Sequence, residues 1–132
     1  GFPGLVVAIL ARERAPGLRV TCIESDLRKA TFLRTVVRDL DLPAVVISER
    51  IEKVPPLGGD VVSARALAPL PLLLDLSFRH LKPAGVALFP KGAEFAAEIK
   101  LALESWTFKL DSFASMTDPN AKILKLGGIR RD

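Results

Sequence analysis

Cysteine and histidine each occur once, as Cys22 and His80, and tyrosine is absent. A single thiol cannot close an intramolecular disulfide, and one His with one Cys does not make a zinc ligand set, so no metal is expected. Cys22 falls in a strand-like apolar run and reads as a small buried hydrophobe in a reducing compartment. His80 closes an amphipathic helix and reads as a surface or C-terminal cap residue. Long apolar runs are missing too. The longest, Leu5–Ala11 and Pro69–Leu74, fall far short of the roughly 20 residues that cross a membrane as a helix. Arg12-Glu13-Arg14 follows the first run directly and no basic leader precedes it, which argues against a signal peptide. There is no repeat, heptad or low-complexity tract. Charge of one sign is not in large excess: the net charge is +4, which permits a polyanionic partner without requiring one. The chain has no initiator Met, and it is read as a cytoplasmic fragment cut from inside a longer protein.

What is present is enough apolar material for a core. The 132 residues are 49% hydrophobic, one domain's worth of chain able to bury about two-thirds of its unfolded surface. The Gly-Phe-Pro-Gly entry and Arg-Glu-Arg exit favour a buried helix over Leu5–Ala11, ending before Pro16-Gly17. Arg19–Glu24 looks like a short strand. Ser25 or Asp26 then caps a helix with Leu27, Ala30, Leu33, Val37 and Leu40 on one face and Arg28, Lys29, Arg34 and Arg38 on the other, stopping at Asp41-Leu42-Pro43. Ala44–Ser48 and Asp60–Ser63 read as strands, residues 69–81 as a helix, and Leu81-Lys82-Pro83-Ala84-Gly85 as a turn into a strand Val86–Phe89. A helix spans about residues 94–104. Thr107–Phe113 and Lys122–Leu126, around Asp118-Pro119-Asn120, read as an antiparallel pair of edge strands. Alternating strand and helix calls for an α/β fold with a mostly parallel sheet, closed by a terminal antiparallel hairpin.

The glycine turn Gly1-Phe2-Pro3-Gly4, followed by a carboxylate, Glu24, about 20 residues on, is the layout by which doubly wound α/β domains hold a nucleoside. Glycine lets backbone approach a ligand, and Pro3 suits the first turn of a helix. Glu24 would accept hydrogen bonds from ribose hydroxyls. Such a turn ought to follow a first strand, which is absent, and its loss leaves a gap between neighbouring strands. By composition alone the plainer readings stay open: an ordinary Gly/Pro turn, Glu24 as a strand-end charge, a solvated face for Arg28 and Lys29, a loop lysine at Lys91 and a salt-bridged Arg65. Nicotinamide-dependent oxidoreductases share the layout with class I methyltransferases. The turn before Val86 resembles the Leu-Lys-Pro-Gly-Gly turn of the latter, and the closing hairpin resembles their last two strands.

A narrower resemblance covers nearly the whole chain. Gly1-Phe2-Pro3-Gly4 resembles the end of the Gly-x-Gly-x-Gly-[Phe/Leu]-Pro-Gly loop of the bacterial small-subunit rRNA guanine-N7 methyltransferases. This is the RsmG family, also called glucose-inhibited division protein B. Ile23-Glu24-Ser25 with Arg28-Lys29 and Phe32-Leu33 is similar to that family's Leu-[Asp/Glu]-Ser…Lys-Arg…Phe-Leu segment. Arg50-Ile51-Glu52 resembles its Arg-[Ala/Val]-Glu motif, Ala64-Arg65-Ala66-Leu67-Ala68 its Ser-Arg-Ala-x-Ala loop, and Pro90-Lys91-Gly92 its Leu-Lys-Gly. Ala64 and Pro90 depart from the pattern, and the first strand and the first half of the glycine loop have no counterpart.

The resemblance implies a Rossmann-like class I methyltransferase domain over residues 1–132, S-adenosyl-L-methionine as cofactor and 16S rRNA or the small ribosomal subunit as partner. No membrane is involved, and a monomer is expected. Gly1, Phe2 and Gly4 would line the methionine side of the cofactor, Glu24 and Ser25 the ribose, and backbone at Arg50, Ile51 and Glu52 the adenine. Arg65 and Lys91 would face the substrate base, Arg65 on its O6, on a phosphate or on the cofactor carboxylate. Lys91, Arg28 and Lys29 would reach RNA. Guanine N7 offers a lone pair and no proton, so no general base is needed and none need be sought. Two other readings stand beside this one: a non-catalytic RNA- or partner-binding α/β fragment, and a different class I methyltransferase.

Overall fold

The computed structural model describes residues 2–64, 69–92, 95–114 and 122–132. They fall into two compact units, residues 1–54 and 55–132.

In the first unit, helix α1 (Phe2–Arg14) leads into strand β1 (Val20–Ile23), helix α2 (Leu27–Leu40) and strand β2 (Ala44–Ile47). The expected helix around 5–11 is therefore longer than its apolar run. It buries Ala8 and Ala11 and leaves Val7 and Leu10 exposed. Small side chains on the buried face let the helix lie close to β1, where Ala8 packs in a cluster with Cys22, Leu33 and Leu42. Burial pushes the Cys22 thiol pKa up, since a thiolate would lose its hydration there. Asp26 caps α2, its carboxylate accepting from the amides of Arg28 at 2.9 Å and Lys29 at 3.2 Å. Asp41 ends the helix in the left-handed region, φ 51°, with its N–H returning to the Arg38 and Val37 carbonyls. The buried stripe of α2 is narrower than expected. Ala30 and Leu33 are buried and Val36 and Val37 pack at its edge, whereas Leu27 and Leu40, at the two ends of the helix, are exposed.

β1 and β2 pair in parallel and in register, Val20 opposite Ala44 through Ile23 opposite Ile47. Parallel neighbours need a crossover, and α2 supplies it. A 3₁₀ turn at Ile51–Lys53 follows β2 and is pinned by buried Val54.

The second unit runs strand β3 (Gly59–Ser63), helix α3 (Leu70–Phe78), strand β4 (Leu81–Lys91), helix α4 (Phe95–Ala102), strand β5 (Trp106–Ala114) and strand β6 (Lys122–Arg131). Its sheet has the order β3-β4-β6-β5, parallel between β3 and β4 and antiparallel elsewhere. The hairpin is as expected, but of its two strands β6 lies inside the sheet and β5 is at an edge. The reason is legible in burial: Leu124 and Leu126 are fully buried, and an edge strand would leave them half covered. Gly128, φ +58°, sits where the β5–β6 register slips by one residue. This bulge brings Ile129 to the same buried face as Leu124 and Leu126.

The helix expected over 69–81 ends at Phe78, and Leu81 already pairs with Gly59. The turn at 82–85 survives as a bulge within β4, because the next paired residue after Leu81–Gly59 is Val86 opposite Val61. Lys82, in that loop, forms an ion pair with Asp60, which draws the Asp60 carboxyl pKa down. His80 is buried at 3% exposure rather than a surface cap. Its carbonyl accepts from the Gly59 amide at 2.7 Å, which ties the end of α3 to the start of β3. Alternate residues of β4 (Gly85, Ala87, Phe89 and Lys91) are buried, and Ala87 and Phe89 share a cluster with Leu70, Leu73 and Leu74 of α3. Trp106 closes the core under Phe78, ring centroids 5.4 Å apart, and Arg131 lies 4.6 Å over its indole.

Candidate functional site

In open α/β sheets ligands bind beyond the carboxyl ends of parallel strands. In the first unit those ends are level. The Glu24 amide donates to the Ile47 carbonyl at 3.0 Å, extending the ladder by one residue past β1. Glu24 is half-buried there, and its Oε2 accepts from the Asp26 amide at 3.1 Å. Among the described residues Oε1 accepts no hydrogen bond. Directly across, β2 gives way to Ser48, Glu49 and the 3₁₀ turn. The Arg50 amide donates to Glu49 Oε1 at 2.9 Å, and the Lys53 amide to the Arg50 carbonyl at 2.9 Å. Ile51 is half-buried, while Arg50 and Glu52 are exposed. A carboxylate at one strand end, with a half-buried apolar residue on the hydrogen-bonded turn that follows the neighbouring strand, suits a nucleoside: hydroxyls to the carboxylate, a flat base against the turn.

Helix α1 packs on β1 and is joined to it by residues 15–19, tightened by Leu18 N–H to Ala15 O at 2.9 Å. So short a return makes α1 antiparallel to β1. The first turn of α1, with Phe2 and Gly4, therefore lies toward the strand end that carries Glu24. Gly1 lies outside the described residues. Ser25, Arg28 and Lys29 are exposed around the start of α2. Arg34, further along that helix, reaches back to the Val46 carbonyl at 3.2 Å.

In the second unit Lys91 ends β4. Its ammonium lies 2.9 Å from Glu98 Oε1 of α4, and the side chain is only 7% exposed. The same Glu98 oxygen accepts from the Leu70 amide, 2.8 Å away, at the start of α3. Glu98 was not legible as a site residue. No paired-carboxylate pattern marks it, and its spacing from Lys91 spans a loop and part of a helix. Arg65 lies outside the described residues. No group of three or more potential metal ligands occurs among the described residues, and no helix there is long and apolar enough to cross a membrane.

Solved structures share this fold. A methyltransferase from Pyrococcus furiosus superposes with a TM-score of 0.70 at 17% identity, over 94% of this chain and 69% of that one. TYW2 from M. jannaschii, in complex with AdoMet, gives 0.66 at 16% identity over 93% and 62%. The fold is thus the Rossmann-like fold of methyltransferases. Residues 1–124 match the family model described as GidB, rRNA small subunit methyltransferase G. Ribosomal RNA small subunit methyltransferase G of Cereibacter sphaeroides is 53% identical over 126 residues, 96% of this chain and 61% of the relative. The protein of that name from Ruegeria pomeroyi is 49% identical over 131 residues, 99% and 64%. The chain belongs to the family of rRNA small subunit methyltransferase G. It spans 61–64% of the length of these two relatives.

Proposed function

We propose that the polypeptide carrying this sequence transfers the methyl group of S-adenosyl-L-methionine to guanine N7 in 16S rRNA of the small ribosomal subunit. The observation that carries the reading is the level pair of strand ends, Glu24 closing one and the 50–52 turn following the other, in a chain of this family. When bound, the cofactor supplies an electrophilic methyl group with a neutral thioether as leaving group. Glu24, with Ser25 at its side, holds the ribose hydroxyls. The backbone of Arg50, Ile51 and Glu52 flanks the adenine, and the first turn of α1, Gly1 to Gly4, flanks the methionine portion.

Guanine N7 presents a lone pair without a proton, so the protein has no proton to remove. Its task is to orient the base and to exclude alternatives. Arg65 suits the base's O6 edge, an adjacent phosphate or the cofactor carboxylate, and a contact to N7 itself would block attack. Lys91, buried and paired with Glu98, would act on the guanine or an adjacent phosphate through its field and not through exposed contact. Arg28 and Lys29 contribute exposed charge to the RNA backbone. The same reading takes residues 1–132 as one methyltransferase domain working as a cytoplasmic monomer. Full-length protein with methyl-labelled cofactor and undermodified small subunits should label guanine N7 of 16S rRNA. Label on another atom, or none in RNA, defeats the proposal.

A further inference from the structure

The amides that open α3 can be accounted for completely. Pro69 stands at the N-cap and offers no side-chain acceptor, and Pro71 has no N–H. The Leu72 and Leu73 amides both donate to the Pro69 carbonyl at 3.1 Å. Leu70 N–H is left, and Glu98 accepts it from another helix. A buried amide without an acceptor is costly, so α3 depends on a carboxylate supplied from α4. The oxygen that does this also binds the Lys91 ammonium. Lys91 needs it for a second reason: across the β4–β6 ladder its register partner is Lys122, and like charges placed opposite each other repel.

We propose that Glu98 is a positioning residue for methyl transfer. Through one carboxylate oxygen it fixes both the ammonium of Lys91 and the first amide of α3. The cation of Lys91, assigned to the substrate nucleotide, and the start of α3 are thereby held to a common reference. This inference rests on the functional reading above.

The test uses the full-length protein with Glu98→Ala, Glu98→Gln and Lys91→Met. Three quantities are read: Leu70 amide hydrogen exchange, single-turnover methyl transfer to undermodified small subunits at saturating cofactor, and S-adenosylhomocysteine affinity. Glu98→Ala should speed Leu70 exchange and slow transfer, each by about tenfold or more, as expected for an orphaned buried donor. Cofactor affinity should stay within about twofold, since direct contacts to the cofactor are untouched. Glu98→Gln keeps an acceptor for Leu70 and should restore its protection and part of the transfer rate. Lys91→Met should slow transfer with Leu70 still protected. A merely stabilising Glu98 would lower the melting temperature and leave transfer by the folded protein unchanged; that result, or unchanged Leu70 exchange, overturns the proposal. Should Glu98→Ala fail to fold, Glu98→Gln and Lys91→Met decide the matter alone: transfer at the wild-type rate in both refutes it. If wild-type protein transfers no methyl at all, the functional reading fails, and Leu70 exchange still reports whether Glu98 holds α3.

Discussion

Gly85 lies against Gly59 so closely that a Cβ on Gly85 would stand 2.9 Å from the Gly59 carbonyl oxygen and 2.8 Å from Leu81 Cδ2. The contact closes the loop that β4 makes between Leu81 and Val86. A backbone oxygen cannot swing aside as a side-chain tip can, so any side chain at 85 must push the two strands apart. Gly85→Ala should destabilise by roughly 1–3 kcal/mol, the usual cost of overpacking. Gly92→Ala, where an added Cβ meets nothing within 4 Å, should stay within about 0.5 kcal/mol of wild type. Urea unfolding followed by Trp106 fluorescence reads both, because Trp106 is buried in the same unit. Equal midpoints for the two variants would contradict this account of the loop.

Asp26 holds the first turn of α2 and its own amide holds Glu24 Oε2. Removing the cap by Asp26→Ala should cost about 1 kcal/mol of stability, while Asp26→Asn should recover most of it. Because Asp26 touches Glu24 through its backbone, cofactor affinity should change little in Asp26→Asn. Paired urea melts and calorimetry with S-adenosylhomocysteine check both statements. An alanine variant as stable as the asparagine one would show that the cap contributes nothing.

These two turns mark what could be read from sequence. A cap at Ser25 or Asp26 is legible because N-cap chemistry is local, a short acceptor just ahead of an apolar stripe, and the structure selects Asp26. The Pro83–Gly85 turn was legible as a turn, yet its absorption into β4 was not, since that depends on Gly59 pairing with Leu81 across 22 residues of chain. His80 was misjudged for the same reason: polarity and position at a helix end say nothing of the strand that covers it. Hairpin signals mark β5 and β6 alike as edge strands, because they do not tell which strand faces β4. Leu27 and Leu40 sit on the right helical face but beyond the reach of the small cluster around Cys22. The strand ending at Glu24 and the strand Ala44–Ser48 follow from alternation, whereas Arg50-Ile51-Glu52 stands out only through the family resemblance. The Glu98 link joins three elements and left no mark in any one of them.

Cys22 is buried, and burial raises its thiol pKa. The thiolate is the reactive form, so iodoacetamide should modify the native protein at least about tenfold more slowly than the urea-unfolded chain. The linkage sign follows from the same shift. The folded thiol holds its proton to higher pH than the unfolded one, whose ordinary value is 9.0. Its contribution to stability is therefore complete below that value and is lost as pH rises through the folded one. The stability difference between wild type and Cys22→Ala should shift against wild type as pH climbs above the unfolded value. A difference independent of pH across that range would refute the assignment.

Glu24 provides the sharpest test of the cradle. Its backbone continues β1 and its Oε2 is engaged by Asp26, but among the described residues Oε1 is not. A ligand hydroxyl donating to that carboxylate makes a charge-assisted hydrogen bond, of about 1.5–3 kcal/mol. Glu24→Ala should thus weaken S-adenosylhomocysteine binding by roughly 10- to 100-fold, and Glu24→Gln, which keeps an acceptor without the charge, by less. The side chain is half-buried and joins no ion pair among the described residues, so thermal stability should move little in either variant. Isothermal calorimetry on the full-length protein measures the affinities, and a thermal melt controls for folding. If Glu24→Ala binds the cofactor analogue as tightly as wild type, the carboxylate at the end of β1 does not hold the ribose, and the donor site must be sought elsewhere on the sheet.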